Sequence, residues 1–111
     1  MKIYSVAISA TAKEDIRAGY GWAAKHAPET AARWLDRFYE ALHTLSTNPE
    51  RCSVAPETEV MGREIRQFLF GKGRNIWRAL FLIEQGQVCV LHVRRAARDT
   101  ASREELADPE V

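Results

Sequence analysis

Residues 76–94 read IWRALFLIEQGQVCVLHVR. Ile76–Glu84 is an almost unbroken apolar run, and Val88–Arg94 is a second one of similar make-up, rich in the branched and aromatic residues that suit extended chain. Between them Gln85-Gly86 is a two-residue turn signal, because glycine supplies the positive φ that a tight hairpin requires. The segment therefore predicts two antiparallel strands. Working back, Glu64–Phe70 reads as a third strand of the same meander. Gly71-Lys72-Gly73 is glycine-rich but lacks the strand-to-helix setting of a phosphate loop, so it reads as a turn.

The first half of the chain changes period. Lys2–Ser9 alternates Ile3, Ser5, Ala7 and Ser9 against Tyr4, Val6 and Ile8, which is a half-buried strand. Thr11-Ala12-Lys13-Glu14 has the form of a capping box and places a helix start at Ala12, with Ile16, Tyr20, Ala23 and Ala27 at helical spacing. Pro28 both ends that helix and opens the next at its first position. From Pro28 to about Ser46, Ala31, Trp34, Leu35, Phe38, Leu42 and Leu45 form one stripe against Arg33, Asp36, Arg37 and Glu40. The two helices make a hairpin. Asn48-Pro49 stops the second, and the run to Gly62, with Pro49 and Pro56, reads as a long surface loop. The expected fold class is α+β: β-α-α-β-β-β, an antiparallel sheet with a two-helix hairpin packed on one face. From Thr100 the acidic tail is expected to form at most a turn of helix.

At 111 residues the chain suits one domain. The start lacks a long apolar core of the signal-peptide kind, so a cytoplasmic protein is expected, with no membrane association. Cys52 and Cys89 have no CxxC spacing and are expected to stay reduced, Cys89 in the core and Cys52 in a loop. No Cys/His spacing or carboxylate cluster points to a metal, and no cofactor is expected. The net charge of +1 hides a segregation: Arg63–Arg98 holds eight basic and two acidic residues, net +6, and the rest of the chain is net −5. Arg66, Lys72, Arg74, Arg78, Arg94, Arg95 and Arg98 thus define a candidate face for nucleic acid or an acidic protein.

Arg78 stands in a strand that is otherwise apolar on both faces, where a guanidinium must reach water, pair or bind. The expected partner is Glu64 or Glu84. His92, in the next strand, lies beside Arg94 and Arg78 and could act as a proton-transfer group, a hydrogen-bonded structural role being favoured. His26 is placed at the end of the first helix and His43 on the polar side of the second. Trp34 and Trp77 are expected to pack helix against sheet, whereas Trp22 falls off the apolar stripe and is a candidate exposed contact.

Taken in order, Ala12-x-x-Asp15-Ile16, Tyr20-x-Trp22, Ala27-Pro28-Glu29, Arg33-Trp34, Pro49-x-Arg51-Cys52, Ala55-Pro56-Glu57, Ile65-Arg66-Gln67, Trp77-Arg78, Leu91-His92-Val93-Arg94 and Ala97-Arg98 resemble the RelE/ParE superfamily of bacterial type II toxins, the ParE branch most closely. The resemblance implies a single toxin domain over residues 1–99 and an acidic C-terminal tail over 100–111. It implies a growth-inhibiting toxin of a plasmid-stabilisation module, neutralised by a cognate antitoxin, as a homodimer or a toxin–antitoxin hetero-oligomer. A ParE-like toxin would poison DNA gyrase. A RelE-like one would be an enzyme that cleaves mRNA on the translating ribosome, with Arg78, Arg98 and His92 as catalytic residues. The antitoxin- or target-binding set would be Arg66, Lys72, Arg74, Arg94, Arg95, Arg98 and Trp22. The third strand has Arg66 where ribonuclease members carry lysine, its second basic partner falls near Phe68, and no Tyr or His follows Arg98.

Overall fold

The computed structural model describes residues 2–72 and 75–96. Strand β1 (Ser5–Ile8) leads into helices α1 (Ala10–Ala24) and α2 (Pro28–His43). A 3-10 turn at Thr44–Ser46 and another at Pro49–Arg51 follow. Then come a two-residue strand β2 (Ser53–Val54), a short helix α3 (Glu57–Met61), and the meander β3 (Arg66–Lys72), β4 (Asn75–Glu84) and β5 (Gln87–Arg95). The sheet order is β1-β5-β4-β3-β2.

The meander is antiparallel as expected, with Gln85 and Gly86 both at positive φ in the turn. The first strand differs. It pairs parallel to β5, Val6 opposite Val88 and Ile8 opposite Val90, because the helical hairpin carries the chain back before the sheet continues. This makes β5 an interior strand flanked by β1 and β4, which explains its run of buried residues from Val88 to Arg94.

Helix α1 begins two residues earlier than the capping box suggested. Ser9 is the N-cap: its hydroxyl accepts from the Ala12 N–H at 3.0 Å and donates to the Leu91 carbonyl at 2.9 Å. One buried hydroxyl thus caps the helix and ties it to β5, which Thr11, already inside the first turn, cannot do. Six residues on, the Asp15 carboxylate accepts the Val93 N–H at 2.9 Å. The helix is therefore held at two points along β5.

On the helical face Ile16, Phe38, Leu42, Leu45, Ala79, Phe81, Val88 and Val90 form the main core. Phe38 lies 4.8 Å from the Phe70 ring and 5.3 Å from Trp34. The expected surface loop is instead the cover of the opposite face. Ala55, Ile65 and Met61 close over Leu80, Leu82, Cys89 and Leu91 in a second, smaller core. The physical reason is in β4 itself, whose neighbouring residues Leu80 and Phe81 point to opposite faces and both bury completely. One helical hairpin can shield only half of such a strand.

Neither cysteine is in a disulfide; Cys89 is buried and Cys52 half-buried. Burial pushes the Cys89 thiol above its usual range, helped by Glu84; burial also raises Cys52, against Arg51 and Arg66, which lower it. Among the described residues no helix is long and apolar enough to cross a membrane. His26 lies past the end of α1, its ring 5.2 Å from Trp22, while His43 ends α2 on an exposed position.

Phe38→Ala should lower the unfolding free energy by about 3–5 kcal/mol, the range for an aromatic side chain removed from a closed core. Urea denaturation at fixed slope would read the loss directly.

Candidate functional site

Two places gather the residues singled out by the sequence. The first lies under α3. Arg78 is only 7% exposed and faces the small core. Its guanidinium forks onto the Glu57 carboxylate, Nη1 to Oε2 at 3.0 Å and Nη2 to Oε1 at 2.6 Å, and its Nε donates to the Gln67 side chain at 2.9 Å. Glu57 is completely buried. The partner is thus neither Glu64 nor Glu84: those carboxylates bind Arg66 at 3.0 Å and Arg63 at 3.1 Å. Two buried ions are tolerated because the fork-to-carboxylate geometry satisfies both groups at once.

Several members of the basic face have structural duties. Arg66 Nη1 donates to the carbonyls of Cys52 at 2.6 Å and Glu50 at 3.1 Å, holding the segment before β2 onto β3. Arg94 is 7% exposed and sits directly across from Arg78 in the β4–β5 register. Lys72 and Arg95 are exposed, and Arg95 lies 6.0 Å from the centre of the Trp77 ring with Nη2 3.3 Å from the Asn75 amide oxygen. Arg74 and Arg98 lie outside the described residues, as do Gly73 and the acidic tail.

The second place is a groove of about 500 Å³ between α1, the start of α2 and the ends of β4 and β5. Ala18, Gly19, Ala23 and Ala31 keep its helical wall low, and Trp34 and Trp77, 5.6 Å apart, line it. A side chain at position 19 would begin 2.9 Å from the Trp77 ring, so glycine is what lets α1 come this close. Trp22 stands in the lining, 67% exposed. His92 and Asp15 also line it, with Nδ1 of the histidine 2.7 Å from the Asp15 carboxylate that accepts the Val93 N–H. His92 is thereby oriented as part of the helix-to-sheet joint. Trp34 and Trp77 serve the packing expected of them and also form the groove wall, a dual use that spacing alone does not reveal.

Glu57 and Asp15 are the residues that sequence reasoning left without a role. Both occur in the segments that carry the family resemblance, but their partners are 21 and 78 positions away. Among the described residues no cluster of three or more His, Cys, Asp or Glu side chains is arranged to hold a metal ion.

Breaking the buried pair should be expensive: Arg78→Met or Glu57→Gln alone should lower stability by about 3–5 kcal/mol. A double-mutant cycle should return a coupling of roughly 1–3 kcal/mol, and simple additivity of the two losses would contradict the pairing.

A family model described as ParE toxin of type II toxin-antitoxin system, parDE, matches residues 6–100. Among solved structures, a chain of the chromosomal ParDE TA system from P. aeruginosa is similar at a TM-score of 0.67 and 19% identity, over 84% of this chain and 96% of that one, a likeness of fold. No curated protein matches the sequence significantly. With the match spanning strands, helical hairpin and meander alike, the chain belongs to the ParE toxin family of type II toxin–antitoxin systems.

Proposed function

We propose that this protein is a growth-inhibiting toxin that acts in the ParE manner, by binding DNA gyrase and trapping its DNA-cleavage complex, and that a cognate antitoxin neutralises it. The observation that carries the choice between gyrase poisoning and RNA cleavage is the state of Arg78. A ribonuclease needs that strand arginine to meet the crowded charge of a phosphate as the 2′-oxygen attacks. Here both its terminal nitrogens are committed to Glu57 and its Nε to Gln67, under a covering helix. A phosphate would have to displace a buried carboxylate to reach it. His92, the residue that could move a proton, is turned onto Asp15 on the groove side.

The antitoxin reading draws on charge. Lys72 and Arg95 are exposed cations within the segment of net +6, and an acidic partner segment would be steered to them. Cytoplasmic action on gyrase belongs to the same reading.

Purified protein added to gyrase and supercoiled plasmid should produce linear DNA after detergent and protease treatment. In a purified translation system, the same protein should leave ribosome-bound mRNA intact by primer extension. New 3′ ends within ribosome-bound codons would establish the ribonuclease instead. Charge reversal at Lys72 and Arg95 should weaken antitoxin binding more at low salt than at high salt, since exposed charges are screened within a Debye length of about 10 Å at 0.1 M. Equal affinity for parent and variant would remove the electrostatic argument.

A further inference from the structure

Trp22 is the most exposed large apolar side chain among the described residues, at 67%. The residue before it, Gly21, takes no part in the packing of a single chain. It stands exposed inside α1, and a Cβ built on it would meet nothing within 4 Å outside its own helix. Gly19 is different, since Trp77 leaves no room beside it. An exposed glycine inside a helix costs stability relative to alanine, so Gly21 is a loss to the lone chain. Glu14, Ala18 and Lys25 are exposed as well. With Gly21 they recur at alternating spacings of four and three, which sets all four on one line down the helix. Trp22 flanks that line on the side of the groove, which it lines together with Ala18. Arg17 flanks it on the other side, bound to Glu14.

We infer that α1 packs antiparallel against α1 of a second copy of this chain, about a twofold axis at the level of Gly19 and Tyr20. The line of exposed residues then complements itself. Ala18 opposes the partner's Gly21, so the two backbones approach to about 8 Å, the near end of the range for packed helices. Glu14 opposes the partner's Lys25 at each end of the seam. Lys25 forms no ion pair among the described residues of its own chain. Parallel packing would instead set Glu14 against Glu14 and Lys25 against Lys25, so the charges select the direction. Each Trp22 comes to lie over the partner's Ala18, at the open side of the partner's groove, and both indoles leave water. The occupant is a copy of the same surface, which is what a closed twofold dimer requires. This inference does not depend on the cellular target.

Sedimentation of the full chain over a range of concentrations should show a monomer–dimer equilibrium. Lys25→Glu should shift it toward monomer by about tenfold. Glu14→Lys/Lys25→Glu should restore it, because the exchanged charges meet across the seam again. Gly21→Leu should also split the dimer, although leucine favours the helix of a single chain. Circular dichroism and melting of each variant would show that the fold is kept. A chain that stays monomeric at every concentration would overturn the inference, as would a dimer indifferent to these substitutions. In the monomeric case, loss of antitoxin binding on Trp22→Ala would assign this face to the antitoxin instead.

Discussion

Strands β4 and β5 are apolar on both faces, and neither face can be left to water. Phe81 and Leu80 are adjacent, point oppositely and are both fully buried. That constraint calls for two covers. The helical hairpin is one, presenting Ile16, Phe38 and Leu42; the segment from Pro49 to Ile65 is the other. β1 belongs to the same requirement, since by adding to β5 it removes an open edge from the most buried strand of the sheet.

The second cover is thin, and electrostatics compensate. α3 spans Glu57–Met61, far too short to be stable alone. Glu57 is buried beneath it and grips Arg78; Thr58 accepts the Ile65 N–H at 2.9 Å and donates to the Ile65 carbonyl at 3.0 Å. Arg66 reaches back to the carbonyls of Glu50 and Cys52. Charges that look in the sequence like a surface for a polyanion therefore divide. Arg66 and Arg78 hold the cover down, while Lys72 and Arg95 face solvent.

This division marks the limit of what the sequence discloses. The helical hairpin and the meander are legible because each rests on local signals: Pro28 at a helix start, a stripe at 3.6-residue spacing, Gln85-Gly86 between apolar runs. The partner of Arg78 is not. Glu64 and Glu84 are closer in sequence, but Glu57 reaches the guanidinium only because the chain folds back across the far face. Likewise Thr11 has the better capping motif, yet Ser9 takes the role through a hydrogen bond to Leu91, 82 residues away. The sequence did show that β4 was apolar on both faces, yet the prolines and charges up to Gly62 read as a surface loop and hid the second cover. Trp22 was legible for the opposite reason, since it breaks the stripe on which its own helix packs.

The parallel seam between β1 and β5 also sets the order of events during synthesis. Val6 pairs with Val88, and Ser9 and Asp15 find their acceptor and donor only at Leu91 and Val93. At roughly 5–20 residues per second, the first strand waits several seconds on the ribosome for its neighbour. Until β5 is made, α1 has neither of its two fastenings and the groove lacks the part of its wall that β5 supplies. A nascent chain of this protein consequently cannot seat its first strand in the sheet until β5 has been translated.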